Sequence, residues 1–481
     1  MKFLSFNSLY YISFVIVLLL LLKFQKKEKI RQIFILFFSV IFYFTWGWQS
    51  FIVLIGESII CFVWYKLRNY SFFKNMGSAY IVITLLIVLA LFKYRIFIDD
   101  ILFKGEGSTS FQGLDFQPIG ISFFTFSMIS FVVDVSRGSV EGDVKGTQLL
   151  LYILFFPKIL QGPINNSASF IKELQKEHII CKEDVINGAQ IFLFGLIKKI
   201  VVADRLALFV DTVYRTPKVF DSLSILVCIV AYTIQLYCDF SGYTDMAIGT
   251  SRMLGYDLAS NFNLPFMSQS VSEYWRRWHM SLNEWFREYL FYPIVRAKWV
   301  NGFRKKCKGK LPKNIVNILP SAIGMVFVWP LIGLWHGASL NYVLHGSLYG
   351  LMMIIGLVYG ALIKNRHEGK VFTVLRIIRT YLITVVMLTL FRSPDIDTFT
   401  TIFSRLFNCA GGIRYISVWA LVYIPLVIGC NIFAYIKNGG NSYHPILDLT
   451  LFRNKVILLT AVILMVIFMY SGESYFMYFQ F

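Results

Sequence analysis

Leu9-Tyr10-Tyr11-Ile12-Ser13-Phe14-Val15-Ile16-Val17-Leu18-Leu19-Leu20-Leu21-Leu22 is followed at once by Lys23-Phe24-Gln25-Lys26-Lys27-Glu28-Lys29. A cleaved secretory signal carries its charge before the apolar core and small residues after it. Here a single lysine precedes the run and the cations follow it, so the stretch reads as a retained membrane helix. Further apolar runs recur at about residues 32–48, 50–65, 79–92, 119–135, 147–160, 187–203, 222–238, 316–335, 340–363, 371–391, 415–435 and 455–471. Several fall short of the ~20 residues of a straight crossing, and these are expected to be re-entrant or to sit in thinned membrane. No Pro/Gly/Ser linker or internal repeat divides the chain. The expectation is a single all-α polytopic integral membrane domain spanning residues 1–481.

Composition agrees. Hydrophobic residues make up 57% and charged residues only 15%, a balance that excludes an ordinary soluble domain. The net charge of +19 would suggest nucleic acid in a soluble chain. In a membrane chain it reads instead as lysines and arginines in cytoplasmic loops, with no nucleic-acid partner. Lys23 to Arg31, Arg296 to Lys313 and Lys364 to Arg379 are the strongest basic stretches and are expected inside. Asp99 to Gln117, with Asp99, Asp100, Glu106 and Asp115 against Lys104, is the candidate outer loop. Seven cysteines lack CxxC or CxxxH spacing, so neither a disulfide framework nor a metal site is indicated.

Between Leu236 and Ala338 polar residues enter the apolar pattern: Asp239, Ser241, Asp245, Asn261 and Asn263. They are followed by Tyr274-Trp275-Arg276-Arg277-Trp278-His279-Met280-Ser281-Leu282-Asn283-Glu284-Trp285-Phe286-Arg287. Ser270 and Glu273 form a capping-box pattern that starts a helix there, and Pro293 is expected to close it. On one continuous helix Trp275, His279, Leu282 and Phe286 share a stripe, while Arg276, Asn283 and Arg287 lie off it. His279 is therefore expected to face inward. A plain alternative is an interfacial helix whose tryptophans and arginines only anchor it at headgroup depth. Ionisable groups at membrane depth are costly and face a cavity or a partner. For Asp239 and Asp245 the expectation is an ion pair with Arg276 or Arg277 that holds helices together.

A second histidine, His336, stands in Gly333-Leu334-Trp335-His336-Gly337-Ala338, inside an apolar stretch. An alcohol is a weak nucleophile near pH 7, and its attack on a thioester improves when a base removes its proton. Imidazole suits that task at this pH. The developing oxyanion needs donors, for which arginine, asparagine or backbone N–H groups near Gly337 are candidates. The structural alternative is a core histidine bonded to a carbonyl at a helix break. His178, His367 and His444 fall in loops and read as structural or surface residues.

Several motifs, in order, resemble the membrane-bound O-acyltransferase (MBOAT) family, in its alginate O-acetylation and peptidoglycan O-acetyltransferase branch. They are Pro118-Ile119-Gly120-Ile121-Ser122-Phe123-Phe124-Thr125-Phe126; Phe156-Pro157-Lys158 leading to Gln161-Gly162-Pro163-Ile164; Tyr237-Cys238-Asp239-Phe240-Ser241-Gly242-Tyr243-Thr244-Asp245-Met246-Ala247; Tyr274 to His279; and Leu334 to Ala338. The ending Phe476 to Phe481 is similar as well. The resemblance implies an MBOAT-type helical bundle around a thin centre, with funnels from both faces toward a central histidine. It implies transfer of an acyl group from a cytoplasmic thioester to a hydroxyl. It maps the family's two histidines onto His336 and His279 as catalytic residues. Trp275, Arg276, Arg277, Trp278, Trp335, Asp239 and Asp245 are then expected to bind substrate or support the site. Two positions depart from the pattern: Ser339-Leu340-Asn341-Tyr342 follows the Trp-His-Gly run, and His345 stands where an aromatic is expected.

The expected function is O-acyl transfer in a bacterial cytoplasmic membrane, with no bound cofactor and acetyl-CoA as donor. The acceptor would be a cell-surface polysaccharide or a secreted serine hydrolase-like acetyltransferase. D-alanyl or longer-chain acyl transfer is the alternative within the class. A secondary transporter of a small anion, with Arg276, Arg277 and His279 as its site, is a rival from another class, as is a scaffold for an extracytoplasmic enzyme. Against the transporter, no repeated half with matching broken helices is seen.

Overall fold

Ser8 starts the first helix: its Oγ accepts a hydrogen bond from the Tyr11 N–H at 3.1 Å, capping α1 (Leu9–Lys23). The computed structural model describes residues 4–71, 74, 77–95, 116–178, 180–363, 369–440 and 446–468. The acidic residues Asp99, Asp100, Glu106 and Asp115, the histidines His367 and His444, and the ending Phe476 to Phe481 lie outside the described residues. By contacts the chain forms two compact units, Met1–Leu196 with Tyr243–Ala259, and Ile197–Gly242 with Ser260–Phe481.

The first unit holds α1, α2 (Glu28–Phe44), α3 (Trp48–Leu67), α4 (Ala79–Lys93), α5 (Ile121–Ser136), α6 (Gly146–Leu154), α7 (Ser167–Leu174) and α8 (Lys182–Ile197), whose last residue opens the second unit. The positions of the helices follow the apolar runs closely. Helix α6 stops short of its run because Phe155-Phe156-Pro157 leaves the helix and turns back through Gly162. Aromatic rings fill the core: Tyr11 packs on Phe6 at 4.4 Å between centroids and Phe14 meets Phe156 edge-on at 5.5 Å. His178 is half-buried, its ring nitrogens 3.5 Å from Glu28 and 3.2 Å from Glu173.

The second unit continues with α9 (Asp204–Arg215) and shares α10 (Ser222–Met253) with the first. It then holds α11 (Val271–Arg277), α12 (Met280–Phe286), α13 (Tyr292–Arg296), α14 (Lys298–Cys307), α15 (Lys313–His336), α16 (Leu340–Leu362), α17 (Lys370–Arg392), α18 (Ile396–Phe407), α19 (Val418–Lys437) and α20 (Phe452–Phe468). Among the described residues, α3, α10, α15, α16, α17 and α19 are long and apolar enough to cross a membrane. The protein is an all-α polytopic membrane protein. Helix α10 differs from the rest. The run at 222–238 suggested an end near Cys238, yet the helix continues through Asp239, Ser241 and Asp245, all of them buried. Of its apolar window 78% is buried, against 22–39% for the other five. Polar residues do not end a helix whose surroundings are protein rather than lipid.

Helices α15 and α16 form a hairpin whose backbones touch. A Cβ on Gly333 would lie 2.1 Å from the Tyr342 carbonyl oxygen, and one on Gly346 would lie 2.3 Å from that of Trp329. Gly350, one turn further, leaves room for the Trp329 side chain. Gly346 and Gly350 make a small-xxx-small pattern, which permits close approach where lipid offers no hydrophobic drive. The turn runs through Gly337-Ala338-Ser339, so the break expected near Gly337 falls at the C-terminal end of α15. Asn341 Nδ2 donates to the Ser393 carbonyl at 2.8 Å and ties this turn to the end of α17.

Gly346→Ala is expected to cost about 1–3 kcal/mol through overpacking, despite the better helix propensity of alanine. Gly356→Ala on the same helix meets nothing within 4 Å and should leave stability unchanged or slightly raised. Thermal melts of the two detergent-solubilised variants check this; equal melting temperatures would contradict the close-contact account.

Candidate active site

The Trp/Arg/His segment does not fold as one continuous helix. Ser270 Oγ accepts from the Glu273 N–H at 3.1 Å, as the capping pattern implies, but the Glu273 carboxylate reaches one residue further back, to the Gln269 N–H at 2.9 Å. Helix α11 then ends at Arg277. Asn263 N–H donates to the Arg277 carbonyl at 2.9 Å, Met280 N–H donates to the Asn261 carbonyl at 3.0 Å, and Phe262 pairs antiparallel with Trp278. This extended pairing pulls Trp278 and His279 out of the helix. The Asn283 side chain donates to the carbonyls of Trp278 and His279 at 2.8 and 3.2 Å, satisfying the break. His279 takes φ 45°, ψ 51°, a left-handed conformation that costs a non-glycine residue roughly 1–3 kcal/mol and persists where the surroundings enforce it. Pro293 does not close the segment either. A π-turn at Arg287–Phe291 precedes it, and the helical path continues as α13 to Arg296. The wider turn takes up the missing proline N–H.

His279 does face inward, as expected, and is 1% exposed. Its ring stands edge-on to Phe240 at 4.7 Å between centroids and 6.1 Å from Trp335. Burial holds its imidazole well below the ordinary range, so it is neutral at pH 7. His336, the last residue of α15, is also buried. It packs on Trp335 at 4.7 Å and meets Phe391 of α17 edge-on at 5.0 Å. The two histidines therefore share one neighbour, the Trp335 indole. His345, on α16, lies 5.2 Å from Phe391 and 4.9 Å from Tyr349, which makes it a third buried imidazole near the same rings. The sequence singled out His345 only as a departure from a motif.

Trp275 and Trp278 are buried among aromatic rings. Trp275 packs on Trp329 and Tyr349, both at 4.9 Å, and Trp278 stacks with Tyr274 at 5.6 Å. These rings seat α11 on the α15–α16 hairpin. The arginines part company. Arg276 is exposed and donates to Ser272 at 3.3 Å. Arg277 binds Glu273 at 2.9 Å and donates to the carbonyls of Asn263 and Gly440 at 3.0 and 2.6 Å.

The expected ion pair of Asp239 with these arginines is corrected. Asp239 binds Lys199 at 2.6 Å, and the same ammonium binds Asp204 at 2.8 Å. All three side chains are buried. Lys199 lies on a π-turn, Lys198–Ala203, inserted between α8 and α9. An apolar window over 187–203 absorbs this lysine, which is why periodicity misses it. The usable signal was Lys198-Lys199 standing inside an apolar run with Asp204 directly after it. Asp239 is next to Phe240, so the triad anchors the stretch of α10 that packs on His279. Asp245 is buried further along α10, in the first unit.

A model of the membrane-bound O-acyltransferase family matches residues 70–306, a span that contains His279, Lys199 and Asp239. A protein named probable alginate O-acetylase AlgI, from Pseudomonas aeruginosa, is 30% identical over 402 residues, covering 79% of this chain and 70% of that one. The chain belongs to the membrane-bound O-acyltransferase family. It is similar also to a peptidoglycan O-acetyltransferase of Helicobacter pylori, 25% identical over 72% of this chain and 68% of that protein. A teichoic acid D-alanyltransferase of Bacillus subtilis is 30% identical over 49% of this chain and 58% of its own length. This MBOAT protein is thus a multi-pass membrane enzyme that transfers an acyl group to oxygen. Acyl transfer, rather than transport or scaffolding, is the activity that membership supports.

Removing Lys199 alone takes the bound cation away from two buried carboxylates. Lys199→Met is expected to destabilise the protein by roughly 3–5 kcal/mol, whereas the triple variant Lys199→Met, Asp204→Asn, Asp239→Asn should recover most of that loss. Yield of folded protein and thermal melts of both variants test this; a triple variant no better than the single one would contradict the triad's electrostatic role.

Proposed function

We propose that this O-acyltransferase moves acetyl from a cytoplasmic thioester, acetyl-CoA, to a hydroxyl of a cell-surface polysaccharide or of a secreted serine hydrolase-like partner, working in a bacterial cytoplasmic membrane. The observation that carries the reading is the pair of buried histidines, His279 and His336, against one tryptophan, in a chain similar to proteins named for O-acetylation of alginate and peptidoglycan. In the proposed step His336 takes the hydroxyl proton as the oxygen attacks the thioester carbonyl. The C–S bond breaks, the ester forms, and the thiolate leaves with the proton returned by the imidazolium. His279 lies 6.1 Å from the Trp335 ring, neutral and held by its flanking pairing, where it can orient the donor or share the proton. Arg276, exposed and held by a single bond, is free to meet an anionic part of a substrate; Arg277 is committed to holding the loop.

D-alanyl transfer is a second reading, favoured by the likeness to the Bacillus subtilis teichoic acid D-alanyltransferase. The chemistry at oxygen is the same and only the donor differs. Purified protein given acetyl-CoA is expected to release free thiol slowly, and faster with the right acceptor. No thiol from acetyl-CoA, with release from a D-alanyl thioester, would overturn the acetyl reading and leave the mechanism standing.

His336→Ala is expected to lower acyl transfer by about 10²–10⁴-fold while the protein still folds and inserts. Acceptor acetylation in membranes, together with melting of the purified variant, measures both. Near-normal turnover in His336→Ala would remove the proposed base.

A further inference from the structure

Helix α14 and the middle of α15 enclose a groove that the acyl-transfer reading does not use. It has a volume of about 620 Å³ and is lined by Trp299, Gly302 and Phe303 on α14 and by Ile323, Val326 and Phe327 on α15, with Lys306 at its edge. Trp299, Phe303, Val326 and Phe327 are exposed large apolar side chains, and Trp299 meets Phe327 edge-on at 6.0 Å. A Cβ on Gly302 would touch nothing within 4 Å, so the floor of the groove is open. The chain around it is uniformly basic. From Arg296 to Lys313 stand Arg296, Lys298, Arg304, Lys305, Lys306, Lys308, Lys310 and Lys313, with no acidic residue.

We infer that this groove is a binding site for one anionic glycerophospholipid, with an acyl chain lying along Trp299, Phe303 and Phe327 and the phosphate held at Lys306 and its neighbours. Two features argue for this occupant together. The walls are apolar over a length of chain that abuts a membrane-spanning helix, which suits an acyl tail. Lys306 in the lining closes a run of cations, Arg304-Lys305-Lys306, on an amphipathic helix, which is the pattern that collects anionic headgroups. A zwitterionic lipid would fill the walls but gain nothing from the rim. A free phosphate would meet the rim but leave the walls empty. The inference stands independently of the donor and acceptor proposed above.

The test uses the full chain, equilibrated in mild detergent with equal amounts of phosphatidylglycerol and phosphatidylcholine of the same acyl chains. Lipids retained after purification are then counted by native mass spectrometry. Retention of phosphatidylglycerol over phosphatidylcholine by roughly 25-fold is expected, from about fivefold for each of two engaged cations. Lys306→Gln should cut that preference by about fivefold, and Gly302→Phe, which fills the open floor, should abolish retention while acyl transfer and melting stay unchanged. Soluble glycerophosphate should fail to displace the lipid. Equal retention of the two lipids, unchanged retention in Gly302→Phe, displacement by glycerophosphate, or a co-purified polypeptide that protects the groove in place of lipid would each overturn the inference.

Discussion

The close approach of Gly333 to Gly346 is the constraint on which the site depends. With any side chain at either position the backbones of α15 and α16 could not meet, since a Cβ would fall within 2.1–2.3 Å of a facing carbonyl oxygen. Their contact sets the hairpin, and the hairpin sets where His336 ends α15 and where His345 begins to look back from α16. Trp329, packed into the space that Gly350 leaves, then offers its ring to Trp275. Through that aromatic contact α11 docks on the hairpin, and His279, just beyond α11, is brought to Trp335.

Polar groups inside this apolar protein are arranged by the same economy. A charge buried in protein must find a partner, and Lys199 finds two, Asp204 and Asp239. The π-turn that carries Lys199 is a local departure from α-helix, and such insertions recur at functional positions. Its effect here is mechanical. It fixes α10 at Asp239, next to Phe240, whose ring packs edge-on against His279. The left-handed His279 is the second departure, held by the pairing of 261–263 with 277–280 rather than by its own preference.

Much of this was legible in the sequence, because lipid imposes length and hydrophobicity directly on each segment. The run at 340–363 became Leu340–Leu362, and the run at 371–391 became Lys370–Arg392. The inward orientation of His279 and the burial of His336 were also legible. What escaped depended on partners distant in pattern. The helix break at Trp278 comes from a neighbouring extended segment, and helical periodicity carries no trace of it. Lys199 was hidden by averaging over apolar neighbours. Asp239 was assigned to the nearest cations in the motif, although a buried carboxylate takes whichever cation the fold delivers. Pro293, read as a terminator, is tolerated because the turn ahead of it is wider than an α-turn.

The central claim is that His279 and His336 serve one acyl-transfer site through their shared contact with Trp335. Single-turnover transfer from a thioester donor, measured for His279→Ala, His336→Ala and the double variant at equal folded concentrations, tests it most directly. Residues that act as a unit lose activity non-additively, so the double variant should be about as slow as the slower single one. Losses that multiply, with the double variant slower by the product of the two, would contradict a shared site.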